Sequence, residues 1–170
     1  MKKEEIVAIS YIDTCYFKKG EKIPENFEFT KHVLVGKIGI VTGSDLTVIF
    51  SEKNGKPEQG LVLPIGSLLV KKGYDLNSKL ELINKEKIGF DLGVYWKDLV
   101  HFQNGVNPGK STSMFSKGKL FSLNDEAVVL KNPKTTKWKN KIKNHPENEN
   151  IDIAYLFIPK KLITNLNFYD

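Results

Sequence analysis

The chain has 170 residues, 40% of them hydrophobic, which suits one ordinary domain or two very small ones and excludes a disordered chain. Its net charge of +6 rests on 26 basic residues, every one a lysine. Without arginine, bidentate readout of guanine edges is disfavoured, while sequence-independent attraction to polyanions stays open.

Read in order, the N-terminus "MKKEEIVAIS" has no apolar h-region with a cleavage site, so no signal peptide is expected. The apolar runs are too short to span a bilayer, and a lone Cys15 excludes an intramolecular disulfide framework. The expected setting is the cytoplasm. Val7, Ile9 and Tyr11 alternate with less apolar neighbours as in a half-buried strand, which Asp13 closes. "HVLVGKIGIVTGSDLTVIF" predicts a hairpin turning at residues 42–45. Pro64 in "LVLPIGSLLV" suits an edge strand or a 3₁₀ turn before a last strand. "SKLELINKEKI", residues 78–88, is the best helical candidate, though poorly capped.

The pattern then starts again. Shifted by 85 positions (7 to 92), Val7, Ile9, Tyr11, Asp13, Phe17 and Gly20 fall on Leu92, Val94, Trp96, Asp98, Phe102 and Gly105. Gly36-Lys37-Ile38 has a counterpart in Gly118-Lys119-Leu120, and the turn "NDE" leads into Ala127–Leu130 as the earlier turn leads into Leu46–Phe50. Pro159 in "YLFIPKKLI" matches Pro64. This order of anchors implies a tandem duplication. The predicted fold is mostly β: two tandem, diverged small β-barrels of SH3-like or Sm-like type, packed together. Their boundaries are expected at 1–72 and 91–170, with a junction at 73–90.

The run "V-x-I-x-Y-x-D … VGKIGIVTGSDLTVIFSE … LVLPIGSLL" resembles small uncharacterised β-barrel proteins of phages and bacterial mobile elements. The likeness covers most of the first half and the second half more loosely. Lys37 and Lys119 stand where an aromatic is usual, and the early tryptophan of that group is missing. The resemblance implies a fold and brings no catalytic residues with it.

Asp13 and Asp98 follow an aromatic in both repeats. They read as general acid/base candidates or, more simply, as aspartates that end a strand and hold the next turn. His101 replaces Tyr16, and a Cys15–His101 pair is the only nucleophile–base combination the repeat suggests; otherwise Cys15 is a small buried hydrophobe. His32 and His145 have no metal-like spacing, and no metal or cofactor is expected. "NPGKSTS" is similar to a phosphate-binding loop, but Gly105 is misplaced for one and no helix follows. Its Lys110, Ser111 and Thr112 remain candidates for cradling an anion, with Trp96 and His101 at the rim.

The lengthened segment 131–150 sets Lys131, Lys134, Lys137, Lys139, Lys141 and Lys143 around Trp138. Tryptophan between lysines suits stacking on a base while the charges follow phosphates, or anchoring a protein interface, or an arm folded back on its own barrel. The expectation is a non-enzymatic binding protein whose partner is an acidic protein surface or a nucleic-acid backbone, engaged through Lys134, Lys137, Trp138, Lys139, Lys141 and Lys143. The alternative is sequestration of a small anionic nucleotide in a cleft between the repeats. A hydrolase or transferase built on Asp98 and His101 is a third reading, in which Asp98→Asn abolishes a reaction without unfolding the chain.

Overall fold

The computed structural model describes residues 6–68, 88–124, 126–137 and 153–169. It is mostly β and forms two sheets. The strands are β1 (Ile6–Tyr11), β2 (Cys15–Lys18), β3 (His32–Val41), β4 (Asp45–Lys53), β5 (Lys56–Pro64), β6 (Asp91–Asp98), β7 (Val100–Phe102), β8 (Thr112–Leu123), β9 (Ala127–Lys137), β10 (Ile153–Pro159) and β11 (Ile163–Tyr169). Short polar side chains shape the turns. Thr42 Oγ1 accepts from the amides of Ser44 and Asp45 between β3 and β4, and Asn124 Oδ1 accepts from those of Glu126 and Ala127 before β9. Pro64 and Pro159 each end a strand and open a 3₁₀ turn, at Ile65–Ser67 and Lys160–Leu162. The helical candidate at 78–88 lies, up to residue 87, outside the described residues, as does most of the expected junction.

One sheet runs β1-β3-β4-β5-β7, the other β11-β6-β8-β9-β10-β2. The chain divides into two compact units: residues 1–13, 30–74 and 98–112 form unit 1, and residues 14–29, 75–97 and 113–170 form unit 2. These follow the two sequence halves except that two short segments change places. β2, from the first half, pairs with β10. β7, from the second half, pairs with β5. The two exchanged segments begin between Asp13 and Thr14 and between Lys97 and Asp98. The closed barrels expected from strand number are not what forms. Neither sheet closes: β7 and β2 are three and four residues long and end their sheets as edges.

Alternation decides the cores. In unit 1, Ile38, Leu46, Val48, Leu61 and Leu63 are buried, with Val7, Ile9 and Tyr11 packed against them. In unit 2 the core is Leu92, Val94, Trp96, Leu120, Val128, Leu130, Leu156, Ile158 and Ile163. Trp96 is 4% exposed, and its indole N–H donates to Ser116 Oγ at 2.9 Å. Ser116 in turn lies 2.7 Å from Thr135 Oγ1, so the buried polar atoms satisfy one another. Leaving the indole donor unpaired would cost about 1–3 kcal/mol.

Candidate functional site

The residues that point away from the core of unit 2 are an unusual set. Because Leu92, Val94 and Trp96 face inward, Gly93, Tyr95 and Lys97 face outward on β6. On β8, Ser116 and Leu120 are buried while Lys117 and Lys119 are exposed. Tyr95 and Phe115 sit 4.7 Å apart, ring centre to ring centre. A Cβ on Gly93 would meet the Phe115 ring at 2.8 Å and the Tyr169 ring at 2.9 Å, so glycine leaves room for both rings where they stand. Lys117 Nζ stands 3.9 Å from the centre of the Tyr169 ring, and Asn167 Nδ2 donates to Tyr95 Oη at 3.3 Å.

Beside this aromatic patch the β8–β9 register puts like charges face to face. Lys117 is opposite Lys134, and Lys119 is opposite Lys131. All four side chains are exposed. Residues 131 and 134 have odd spacing, which in a regular strand sends side chains to opposite faces. A bulge between the two pairs, with Asn132 at φ 48° followed by Pro133, adds a residue to β9 and keeps both lysines opposite a lysine. On the far side, Lys131 is paired with Tyr155 of β10, whose ring lies 4.7 Å from that of Phe121. The lysine block is therefore flanked by aromatics on both sides. Asp91 tempers it through one exposed pair with Lys119 at 3.5 Å, a contact worth little in water.

Like charges directly opposite across strands are destabilising. Two such pairs, held by a bulge, make a face with affinity for anions. A groove of about 420 Å³ opens at the end of the patch, lined by Tyr95, Trp96, Lys97, Ser113, Met114, Thr164 and Asn165. A larger groove of about 630 Å³ lies under residues 23–28, but Glu25 and Glu28 line it, which disfavours a polyanion there.

Of the residues singled out by sequence, Lys134 belongs to this face and Lys137 ends β9, opposite Met114 in register. Trp138, Lys139, Lys141 and Lys143 lie outside the described residues, as does His145. The nucleotide-cleft set is divided between units: Trp96 is core in unit 2, while His101, Lys110, Ser111 and Thr112 belong to unit 1. Ser111 is 7% exposed; its amide donates to the buried Asp45 carboxylate at 3.1 Å, and its Oγ is buried without a hydrogen-bond partner. His101 is exposed on β7, opposite Leu61. Asp98 closes β6, and Asp13 lies just past β1. Cys15, on β2, is half-buried opposite Phe157 in unit 2, whereas His101 is in unit 1. Among the described residues no three His, Cys, Asp or Glu side chains gather as a metal site requires, and no helix is long and apolar enough to cross a membrane. Sequence reasoning passed over Tyr95, Phe115, Lys117 and Tyr169. The signal for Tyr95, Phe115 and Lys117 was the alternation of outward aromatic or lysine with inward apolar residue in "LGVYWK" and "MFSKGKL"; Tyr169 carried none.

No family model matches the chain, and no curated protein or solved structure does either.

Proposed function

We propose that the chain is a non-enzymatic protein that binds single-stranded nucleic acid, with little base specificity, on the outer face of unit 2. The observation that carries the reading is the pair of lysine–lysine oppositions, Lys117–Lys134 and Lys119–Lys131, set between aromatic residues. Bases stack on Tyr95, Phe115, Tyr169 and Tyr155 while phosphates lie over the lysines, a combination that reads backbone and π-face without needing arginine. Of the two partners that a basic aromatic-bearing surface suits, the gathering of several aromatic rings beside the lysines favours nucleic acid over an acidic protein surface.

Fluorescence anisotropy with a labelled oligothymidylate of about 15 nucleotides, titrated at several salt concentrations, tests the reading. With roughly four or five lysine–phosphate contacts, log Kobs should fall against log[salt] with a slope on the order of −3. Competition by polyglutamate as effective as that by oligonucleotide would assign the face to acidic proteins instead.

The tandem origin of the two units is part of the same proposal. It is supported by the identical order of counterpart strands, β1-β3-β4-β5 with β7 and β6-β8-β9-β10 with β2. Gly20 and Gly105, at matching positions, share a left-handed backbone (φ 86° and 72°). A duplicated fold of which one copy has gained a charged face is a common route to a binding function.

A further inference from the structure

The groove at the end of the aromatic patch has a chemistry of its own. Among the described residues, Lys97 is the only charged one lining it, and no carboxylate does. Its ammonium donates to Ser113 Oγ at 2.7 Å, a part-buried contact that fixes the long side chain. An ammonium carries three donors, so this bond leaves two for a ligand. Thr164 and Asn165 also line the wall, and Thr164 Oγ1 donates to the Tyr95 carbonyl at 3.2 Å. Trp96, Met114 and the ring of Tyr95 supply the apolar part. At about 420 Å³ the groove falls within the range of small-ligand sites and is far too small for a folded partner.

Tyr95 belongs to both the groove and the patch: its ring lies 4.7 Å from that of Phe115, tilted by 45°, and the residue also lines the groove. A strand running over the patch has its end at this groove. We infer that the groove takes a phosphate-bearing terminal nucleotide, with the phosphate on Lys97 and Ser113 and the base against Tyr95. The inference rests on the single-strand reading above and adds a preference for phosphorylated ends. The same chemistry is carried by a free nucleoside monophosphate, which the test separates from a strand end.

Three oligothymidylates of equal length are compared by anisotropy: 5′-phosphorylated, 3′-phosphorylated and unphosphorylated. Unlabelled thymidine monophosphate serves as competitor. Lys97→Gln keeps a hydrogen-bonding side chain beside Ser113 while removing the charge, and its melting temperature is checked against wild type. One phosphorylated end is expected to bind about tenfold tighter than the bare end, equivalent to one charge-assisted contact. That difference should vanish in Lys97→Gln, which is expected to bind all three oligonucleotides alike. Displacement by millimolar thymidine monophosphate of the phosphorylated advantage alone would identify the free nucleotide as a second source of the same ligand. Equal binding of all three oligonucleotides, or an end preference that survives Lys97→Gln, overturns the inference. Failure of every oligonucleotide to bind overturns the parent reading instead, and the two failures are thereby distinct.

Discussion

If the opposed lysines of β8 and β9 serve a ligand and not the fold, removing the opposition should stabilise the free protein while it disables binding. Consider the double substitution Lys131→Glu with Lys134→Glu. It turns Lys119–Lys131 and Lys117–Lys134 from like-charge into opposite-charge cross-strand pairs. Two unit charges on the order of 7 Å apart in water interact by roughly 0.6 kcal/mol, so reversing the sign changes each pair by about 1 kcal/mol. Cross-strand pairs measured in other sheets contribute about 0.2–1 kcal/mol each, which brings the combined gain to roughly 1–2 kcal/mol. For a chain of this size that is a rise of about 2–8 °C in melting temperature. All four side chains are exposed, so the gain should shrink strongly between 20 mM and 500 mM salt, where the Debye length falls from about 20 Å to about 4 Å. Urea and thermal unfolding at both salts measure the stability, and oligonucleotide anisotropy measures the binding. A variant that is less stable than wild type at low salt, or that binds as tightly, refutes the reasoning.

Two further predictions concern the framework. Phe102 comes from the second sequence half but is 4% exposed in unit 1, where its ring covers the place a Cβ on Gly60 would occupy. Phe102→Ala should cost about 3–5 kcal/mol and speed amide exchange on β4 and β5 ahead of β9 and β10. Phe17→Ala, which removes a ring 5.4 Å from Phe157, should do the reverse; loss of protection confined to each residue's own sequence half would contradict the strand exchange. Tyr11 supplies a pH signature, because its hydroxyl is held above the ordinary phenol value first by burial and then by the Asp13 carboxylate. The neutral form is favoured in the folded state, so stability is complete below about pH 10 and declines as the pH rises through the folded value. Unfolding curves from pH 8 to 11.5 should show that decline weakened in Tyr11→Phe.

How much of this was written in the sequence can be argued residue by residue. The β character, the turn at 42–45 and the 3₁₀ turns after Pro64 and Pro159 followed from local chemistry, because short polar side chains and proline act within a few residues of themselves. What local chemistry could not disclose is that β2 pairs with β10 and β7 with β5, since pairing between strands far apart in sequence leaves no local trace. Asp13 and Asp98, read as possible acids or more simply as aspartates that end a strand, stand at two of the places where the chain passes from one unit to the other. The proposed binding face was half visible. Lys134 stood out in the basic segment, but its opposition to Lys117 depends on a one-residue bulge at Asn132–Pro133, and register is a property of two strands together. Tyr169, the ring under Lys117, lies more than fifty residues from it along the chain and came into view only when β11 was placed beside β6.

The most direct test of the account is photo-cross-linking of the intact chain to an oligonucleotide carrying a 5-iodouridine at successive positions, followed by mass spectrometry of the adducted peptides. The outer face of unit 2 predicts adducts on Tyr95, Phe115, Tyr155 and Tyr169, each suppressed by excess unlabelled strand and by high salt. Adducts confined to unit 1, or to Trp138 alone, would contradict it.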